Sequence, residues 1–411
     1  MEEKWVVIGI DLGERGAQIS YCLNGEREVK TYSLSREEDQ FLIPLEAYQN
    51  PENKAKSFGF EAQAAAEKGK GETEKDLLKG AMESEDGVRL LGLYFSYLLH
   101  LPKEILGTEV RALVFSLREV DQRVCQVLER AVESAGIQIP VIRYVSYGES
   151  FFFYALSQKI ELWRYGVVLF EYDDSRFEVR RLTVDQHLEP AFVTVEEKSY
   201  PIMLPFTGQD KEKLDRSFLS IAEGVTGTGA LSGVYLTGSA FEERWENGTL
   251  KFLCSRARVF QGQNLYSKGA CYAATDVVSW SRLSGKFVFL DKNSLRQNIS
   301  IRAISKGKEE LLSVMDAGLS WYNASAEKEV LLGQDKEIVV VLNGMMDENE
   351  RNVVLRLSRF PDRPDRASRV LLRFYFEERD ILVVEIQDLG FGDLFPSSGM
   401  VQTERIRLQE G

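Results

Sequence analysis

Few side chains in this sequence stand at spacings that could do chemistry. Gly224-Val225-Thr226-Gly227-Thr228-Gly229 carries a G-x-x-G-x-G pattern. Such a backbone, free of side chains, approaches phosphates closely. It follows a helical stretch and precedes a strand, whereas a phosphate loop needs the strand first. It therefore reads as a connection. Cys22, Cys125, Cys254 and Cys271 form no C-x-x-C pair, and only His100 and His187 accompany them. A Cys/His zinc site is not expected from such a set, and the thiols read as reduced core residues. The run Phe151-Phe152-Phe153-Tyr154 reads as helix packing rather than a peptide groove. Asn247-Gly248-Thr249 matches a glycosylation acceptor, which has no meaning in a cytosolic chain.

The 411 residues imply two to three domains, with 44% apolar and 28% charged residues, as in ordinary globular chains. Lys and Arg total 51 against 64 Asp and Glu, a net charge of −13. That balance argues against a general nucleic-acid binder, which needs clustered cations, and against docking on an anionic bilayer. The longest apolar-rich stretch, about Leu90 to Leu101, is well short of the about 20 residues a bilayer span needs. The acidic N-terminus does not read as a signal peptide. A cytoplasmic protein is expected, free of nucleic acid and membrane.

The elements that would position a site follow from periodicity. Trp5 to Asp11 reads as a strand with Ile19 to Leu23 as its hairpin partner, and Thr31 to Ser33 and Phe41 to Ile43 as weaker extended segments. Helices are expected at Glu61 to Lys68, Val88 to His100, Glu119 to Ala135, Glu149 to Leu156, Lys211 to Glu223 and Leu265 to Ala274. Between them lie strands at Val110 to Ser116, Val141 to Val145, Gly166 to Phe170, Phe177 to Leu182, Phe192 to Glu196 and Val234 to Thr237, with a polar loop at Lys68 to Glu74. Beyond about Asp276 only short alternating strands follow, from Phe287–Leu290 to Glu404–Leu408. That texture suggests a β-sandwich. The expected division is 1–276 and 287–411.

The first part thus reads as two related halves, and its motifs resemble those of the actin-like ATPases, most closely the seventy-kilodalton heat-shock chaperones. Val7-Ile8-Gly9-Ile10-Asp11-Leu12-Gly13 resembles their first phosphate loop, and the segment Val167 to Val179 resembles their second phosphate hairpin. Val234 to Ser239 is similar to the adenosine loop, and Gly269 to Ala274 to the helix after it. Phe287 to Leu295 is similar to their interdomain linker, and Val370 to Leu408 to the closing hairpins of their peptide-binding β-domain. The resemblance implies an α+β multidomain chain: an actin-like, ribonuclease-H-like duplicated ATPase-type domain with reduced lobes, then a β-sandwich without a helical lid. It also implies a nucleotide site at Asp11, Gly13, Glu14, Arg15, Lys75, Glu171, Asp173, Asp174, Ser175, Arg176, Thr237, Gly238 and Ser239, with Asp11 and Glu171 as the Mg²⁺ carboxylates.

That site departs from the family's pattern where phosphate chemistry needs it most. Glu14 and Arg15 replace small hydroxyl residues, and Asp173, Asp174, Ser175 and Arg176 replace three glycines and a threonine. Each carboxylate at about 4 Å from a phosphate charge costs about 4 kcal/mol at an effective dielectric of about 20, which Arg176 offsets once. Tyr147 falls where the catalytic glutamate would stand, with Glu149 two residues late, and Lys75 matches the catalytic lysine. The expectation is a chaperone-like binding or scaffold protein with a degenerate ATP site, not an active ATPase, recognising a protein or peptide. The alternative is an ATP-binding chaperone or actin-like ATPase with altered phosphate coordination, for which ATP or ADP with Mg²⁺ would be the cofactor. Exposure of Phe391 and Phe395 would favour a ligand site on the second domain.

Overall fold

The computed structural model describes residues 4–14, 16–34, 40–69, 71–187, 189–227, 229–279, 283, 285–305, 307–345 and 350–408. The chain divides into two compact units, Met1–Asp291 and Lys292–Gly411. No helix among the described residues is long and apolar enough to cross a membrane.

The first unit is built on two six-stranded sheets that repeat one plan. In the first sheet a hairpin, Trp5–Gly13 with Gly16–Leu23, continues through Glu109–Leu117 and Val141–Ser146, both added in parallel. In the second, the hairpin Val167–Asp173 with Arg176–Asp185 continues through Gly233–Thr237 and Arg258–Gln261, again in parallel. On its other side lies Ala191–Ser199, antiparallel to Arg176–Asp185. Parallel strands require crossovers, and helices supply them. One is Gln122–Ser134, whose start is fixed by the Asp121 carboxylate accepting from the Val124 amide at 2.8 Å. Its Cys125, Leu128, Ala131 and Val132 are buried on one face.

Both faces of the second sheet are covered. Phe170 and Tyr172 point into an aromatic cluster with Phe177, Phe218, Phe241 and Trp245. Leu169 points the other way, among Phe151, Phe152 and Tyr235. Strand alternation therefore sends Glu171, two residues on, to the Leu169 side. Helix Leu265–Ser279 crosses the first sheet so closely that a Cβ on Gly9 would lie 2.2 Å from the Cys271 amide. A Cβ on Gly269 would lie 2.1 Å from the Ser150 carbonyl in helix Tyr147–Ser157. These two glycines let sheet and helices meet backbone to backbone, and so set the depth at which Tyr147 and Tyr266 sit.

The second unit is all antiparallel: Lys308–Met315, Gln297–Ser305, Glu337–Gly344 and Glu350–Arg356 form one sheet, in that order, and Ser325–Leu331, Arg369–Glu378, Ile381–Gly390 and Val401–Arg407 the other. Arg369–Glu378 buries Val370, Leu372, Phe374 and Phe376 at alternate positions, the period of a half-covered strand.

Several expectations need correction. Phe287–Leu290 is not a strand of the second unit; it pairs in parallel with Ala191–Ser199, and the units meet at 291/292 rather than in 276–287. Lys68 to Glu74 is not all loop, because Glu72–Lys75 pairs with Glu46–Gln49 in a small three-stranded sheet. Cys254 is exposed, whereas Cys22, Cys125 and Cys271 are buried. The Gly224–Gly229 segment is a helix end: Lys211–Thr226 runs through Gly224 and stops at Gly227 with φ of +58°. Thr228 lies outside the described residues. The Asn247-Gly248-Thr249 tripeptide opens helix Asn247–Arg256, its Gly248 and Thr249 amides donating to the Asp215 carboxylate.

Candidate functional site

The two hairpins carry carboxylates toward a common interior. Glu171, 3% exposed, stands opposite Glu178 in the second hairpin, and Arg180 stands opposite Glu197 on the next strand. Arg180 is only 1% exposed, so its charge must be met inside the protein. Its Nη1 donates to Glu171 Oε2 at 2.5 Å and to the Tyr266 hydroxyl at 2.8 Å. Its Nη2 donates to Glu178 at 2.7 Å and Glu197 at 2.8 Å. Arg118, just beyond the end of strand Glu109–Leu117, donates to Glu178 at 2.6 Å and also to Glu171 Oε1. The Tyr266 hydroxyl completes the set on Glu171 Oε2 at 2.5 Å.

Two aromatic rings fill the space beside these charges. Ser146 ends its strand and caps the following helix, accepting from the Glu149 amide at 3.1 Å. This direct strand-to-helix passage places Tyr147 at the first helical position. Its ring stacks on Tyr266 with centroids 3.8 Å apart, and the Arg118 guanidinium lies 4.9 Å from it. Burial pushes both phenols well above their ordinary range, so they stay protonated donors. Burial alone would raise Glu171, but Arg180, Arg118 and the Tyr266 hydrogen bond outweigh it and hold the carboxyl below its ordinary value.

Asp11 differs. Burial raises it to about 7; the Tyr147 hydrogen bond works against this, and the Glu171 charge adds to it. Its Oδ1 has no partner, nor do Gln18 Oε1 and Ser116 Oγ, the residues in register with it on the flanking strands. A carboxyl whose folded value is raised favours the folded state fully below its unfolded value, about 3.9, and loses that contribution as pH climbs through about 7. Asp11→Asn should therefore raise stability at pH 8 by up to about 4 kcal/mol. It should also flatten the decline between pH 4 and 7, read from urea midpoints across that range.

The structure brings most of the expected nucleotide residues together. Glu14 and Arg176 form an ion pair that joins the two hairpin tips. The tip of the first hairpin also holds Gly13, whose Cβ position lies 3.5 Å from the Tyr147 hydroxyl. Asp173 accepts from the Ser239 amide and hydroxyl, both at 3.0 Å, while Asp174 accepts from the Thr207 amide at 2.7 Å. Ser175 lies in the turn between the second hairpin's strands. Thr237 is in register with Glu171. Gly238, at φ of +104°, passes so near strand Val167–Asp173 that a Cβ would lie 2.2 Å from the Tyr172 carbonyl. Lys75 is not brought in: it is exposed on the small sheet, in register with Glu46. Arg15 lies outside the described residues.

Glu171 does not fit the metal role implied for it, because guanidiniums hold both of its oxygens. Among the described residues no group of His, Cys, Asp and Glu is arranged to hold a metal ion. Arg118, Glu178, Arg180, Glu197 and Tyr266 were not singled out from the sequence. One signal was present: charged residues at alternate positions, Glu178 and Arg180, interleaved with the apolar Phe177 and Val179 of the other face.

Residues 28–292 match a family described as "Family of unknown function (DUF5716) C-terminal", and residues 294–408 match "Domain of unknown function (DUF8552)". No curated protein matches the chain.

Proposed function

The chain belongs to the family of unknown function DUF5716, and we propose that it is a chaperone-like binding or scaffold protein. In this reading its first unit keeps an actin-like frame whose nucleotide cleft is closed by its own side chains. The repeated plan of the two sheets supports the frame. One observation carries the loss of ATP chemistry: Arg118 and Arg180 occupy both oxygens of Glu171. A metal–phosphate site needs that carboxylate free and phosphate-facing glycines around it. Here two guanidiniums and two stacked tyrosines take the place of metal and phosphate, and Glu14–Arg176 ties the loop tips. The working surface is then a protein or peptide contact, and the three buried, unpaired thiols suit a reducing cytoplasm.

Calorimetry with ATP and ADP, with and without Mg²⁺, tests this on the purified full chain. We expect no binding heat at millimolar nucleotide and no melting shift. A ligand at a hundredfold its dissociation constant would add about 2.7 kcal/mol and be visible in the melt. Micromolar, Mg²⁺-dependent binding would replace this reading with that of an ATP-binding chaperone or actin-like ATPase.

A further inference from the structure

The connection between strands Ile381–Gly390 and Val401–Arg407 is long for a hairpin and unusually apolar. Hairpin loops are commonly about 2–5 residues, whereas residues 391–400 intervene here and carry Asp393 as their only charge. Leu394 is 86% exposed and Phe391 46%. An apolar loop of this length would lower its free energy by folding back and covering those side chains. The structure holds it out instead.

The clamp lies at its base. Asp388 is fully buried and accepts from both Nη atoms of Arg363 at 2.8 Å, from the Gly390 amide at 3.0 Å, and from the Ser398 amide and hydroxyl at 2.8 and 2.6 Å. Arg363 also donates to the Pro396 carbonyl at 2.8 Å, and Ser397 Oγ to the Asp388 carbonyl at 2.5 Å. Gly390, at φ of +68°, closes the neck so tightly that a Cβ would meet the Ser397 amide at 2.4 Å. Both ends of the loop are thus fixed to one buried carboxylate while the tip stands in water.

We propose that the Phe391–Leu394 tip is a preformed docking knob for a folded protein partner that offers an apolar pocket with a cation at its rim. A convex tip needs a concave receptor, which an extended peptide does not provide. Its conformation is set before binding, so little ordering entropy remains to be lost on association. Phe391 and Leu394 supply the apolar contact, and Asp393 between them supplies the charge that the rim cation meets. The same carboxylate opposes insertion into a bilayer, where it would enter hydrocarbon or face anionic headgroups. The proposal is independent of the cleft reading, since nucleotide binding would leave this loop untouched.

The test begins with the full chain carrying p-benzoylphenylalanine in place of Phe391, photo-crosslinked in the cells that make it. The crosslinked protein is then purified and titrated against wild type, Leu394→Ser and Asp393→Lys by calorimetry. The expected result is direct binding that weakens about tenfold or more in each variant, with unchanged melting temperatures. Equal affinity for Leu394→Ser would overturn the proposal. So would crosslinks confined to a second copy of the chain, the absence of any protein crosslink, or wild-type binding to phosphatidylglycerol–phosphatidylcholine vesicles that Leu394→Ser abolishes.

Discussion

Arg180→Met is expected to destabilise the first unit by about 3–5 kcal/mol, the usual consequence of removing one partner from a buried ionic network. The guanidinium meets three carboxylates and one phenol, and two of those carboxylates, Glu171 and Glu178, are largely shielded from water. Glu197 is about a third exposed and can turn outward, so its loss contributes less. Arg118 remains and continues to neutralise part of the charge. The Met side chain fills most of the volume, so the cost reports on charge rather than on a cavity. The companion variant Arg180→Met/Glu171→Leu should recover a large part of the loss, because it removes the stranded carboxylate as well. Urea unfolding followed by tryptophan fluorescence can read this, since Trp163 and Trp245 are buried in the first unit. A loss below about 1 kcal/mol would mean that the charges are solvated in solution. The argument that the cleft is permanently filled would then fail.

The sequence displayed the frame more clearly than the site. The first hairpin was legible because Val6, Ile8 and Ile10 alternate with Val7, Gly9 and Asp11 before a turn. Helix Gln122–Ser134 was legible from its apolar spacing, although Asp121 starts it three residues later than expected. Glu72–Lys75 was not legible, since E-T-E-K is exposed throughout and its strand character comes from backbone pairing with Glu46–Gln49. Phe287–Leu290 was recognisable as a strand, but apolar composition does not state which sheet will claim it; a parallel partner nearly a hundred residues earlier does. The site failed for the same reason. Asp11 and Glu171 were visible as carboxylates, yet their meaning depends on Arg118 and Arg180, which reach them only once register and crossover are set. Tyr147 appeared as a substitution at one position. That Tyr266, from a helix far along the chain, would stack on it required the close approach allowed by Gly9 and Gly269.

Asp388→Asn should destabilise the second unit by about 3 kcal/mol or more, as expected for breaking an ion pair whose carboxylate is fully shielded from water. Asparagine keeps the shape but presents an amide to the donors of Arg363, leaving a guanidinium that is 6% exposed without its anion. The pH dependence gives a second readout. Burial would raise Asp388, but hydrogen bonds from Arg363, Ser398 and Gly390 hold it well below the usual carboxylate range. A group lowered in this way stabilises fully above its unfolded value, about 3.9, and loses that contribution as pH falls through the folded value. Wild-type second unit should therefore weaken steeply below about pH 4, and the Asn variant should show a shallower slope there. Asp11 acts in the opposite sense, favouring the first unit as pH falls from about 7 toward 4. The two units should consequently part in an acid series, the first gaining in the range where the second is still level. Trp321, buried in the second unit, follows that limb. If wild type and Asp388→Asn share one acid slope, the Arg363 pair is not what fixes the loop. If the slopes differ, Asp388→Asn should also weaken any partner held at Phe391 and Leu394 without touching either side chain, because the clamp is what keeps the tip extended.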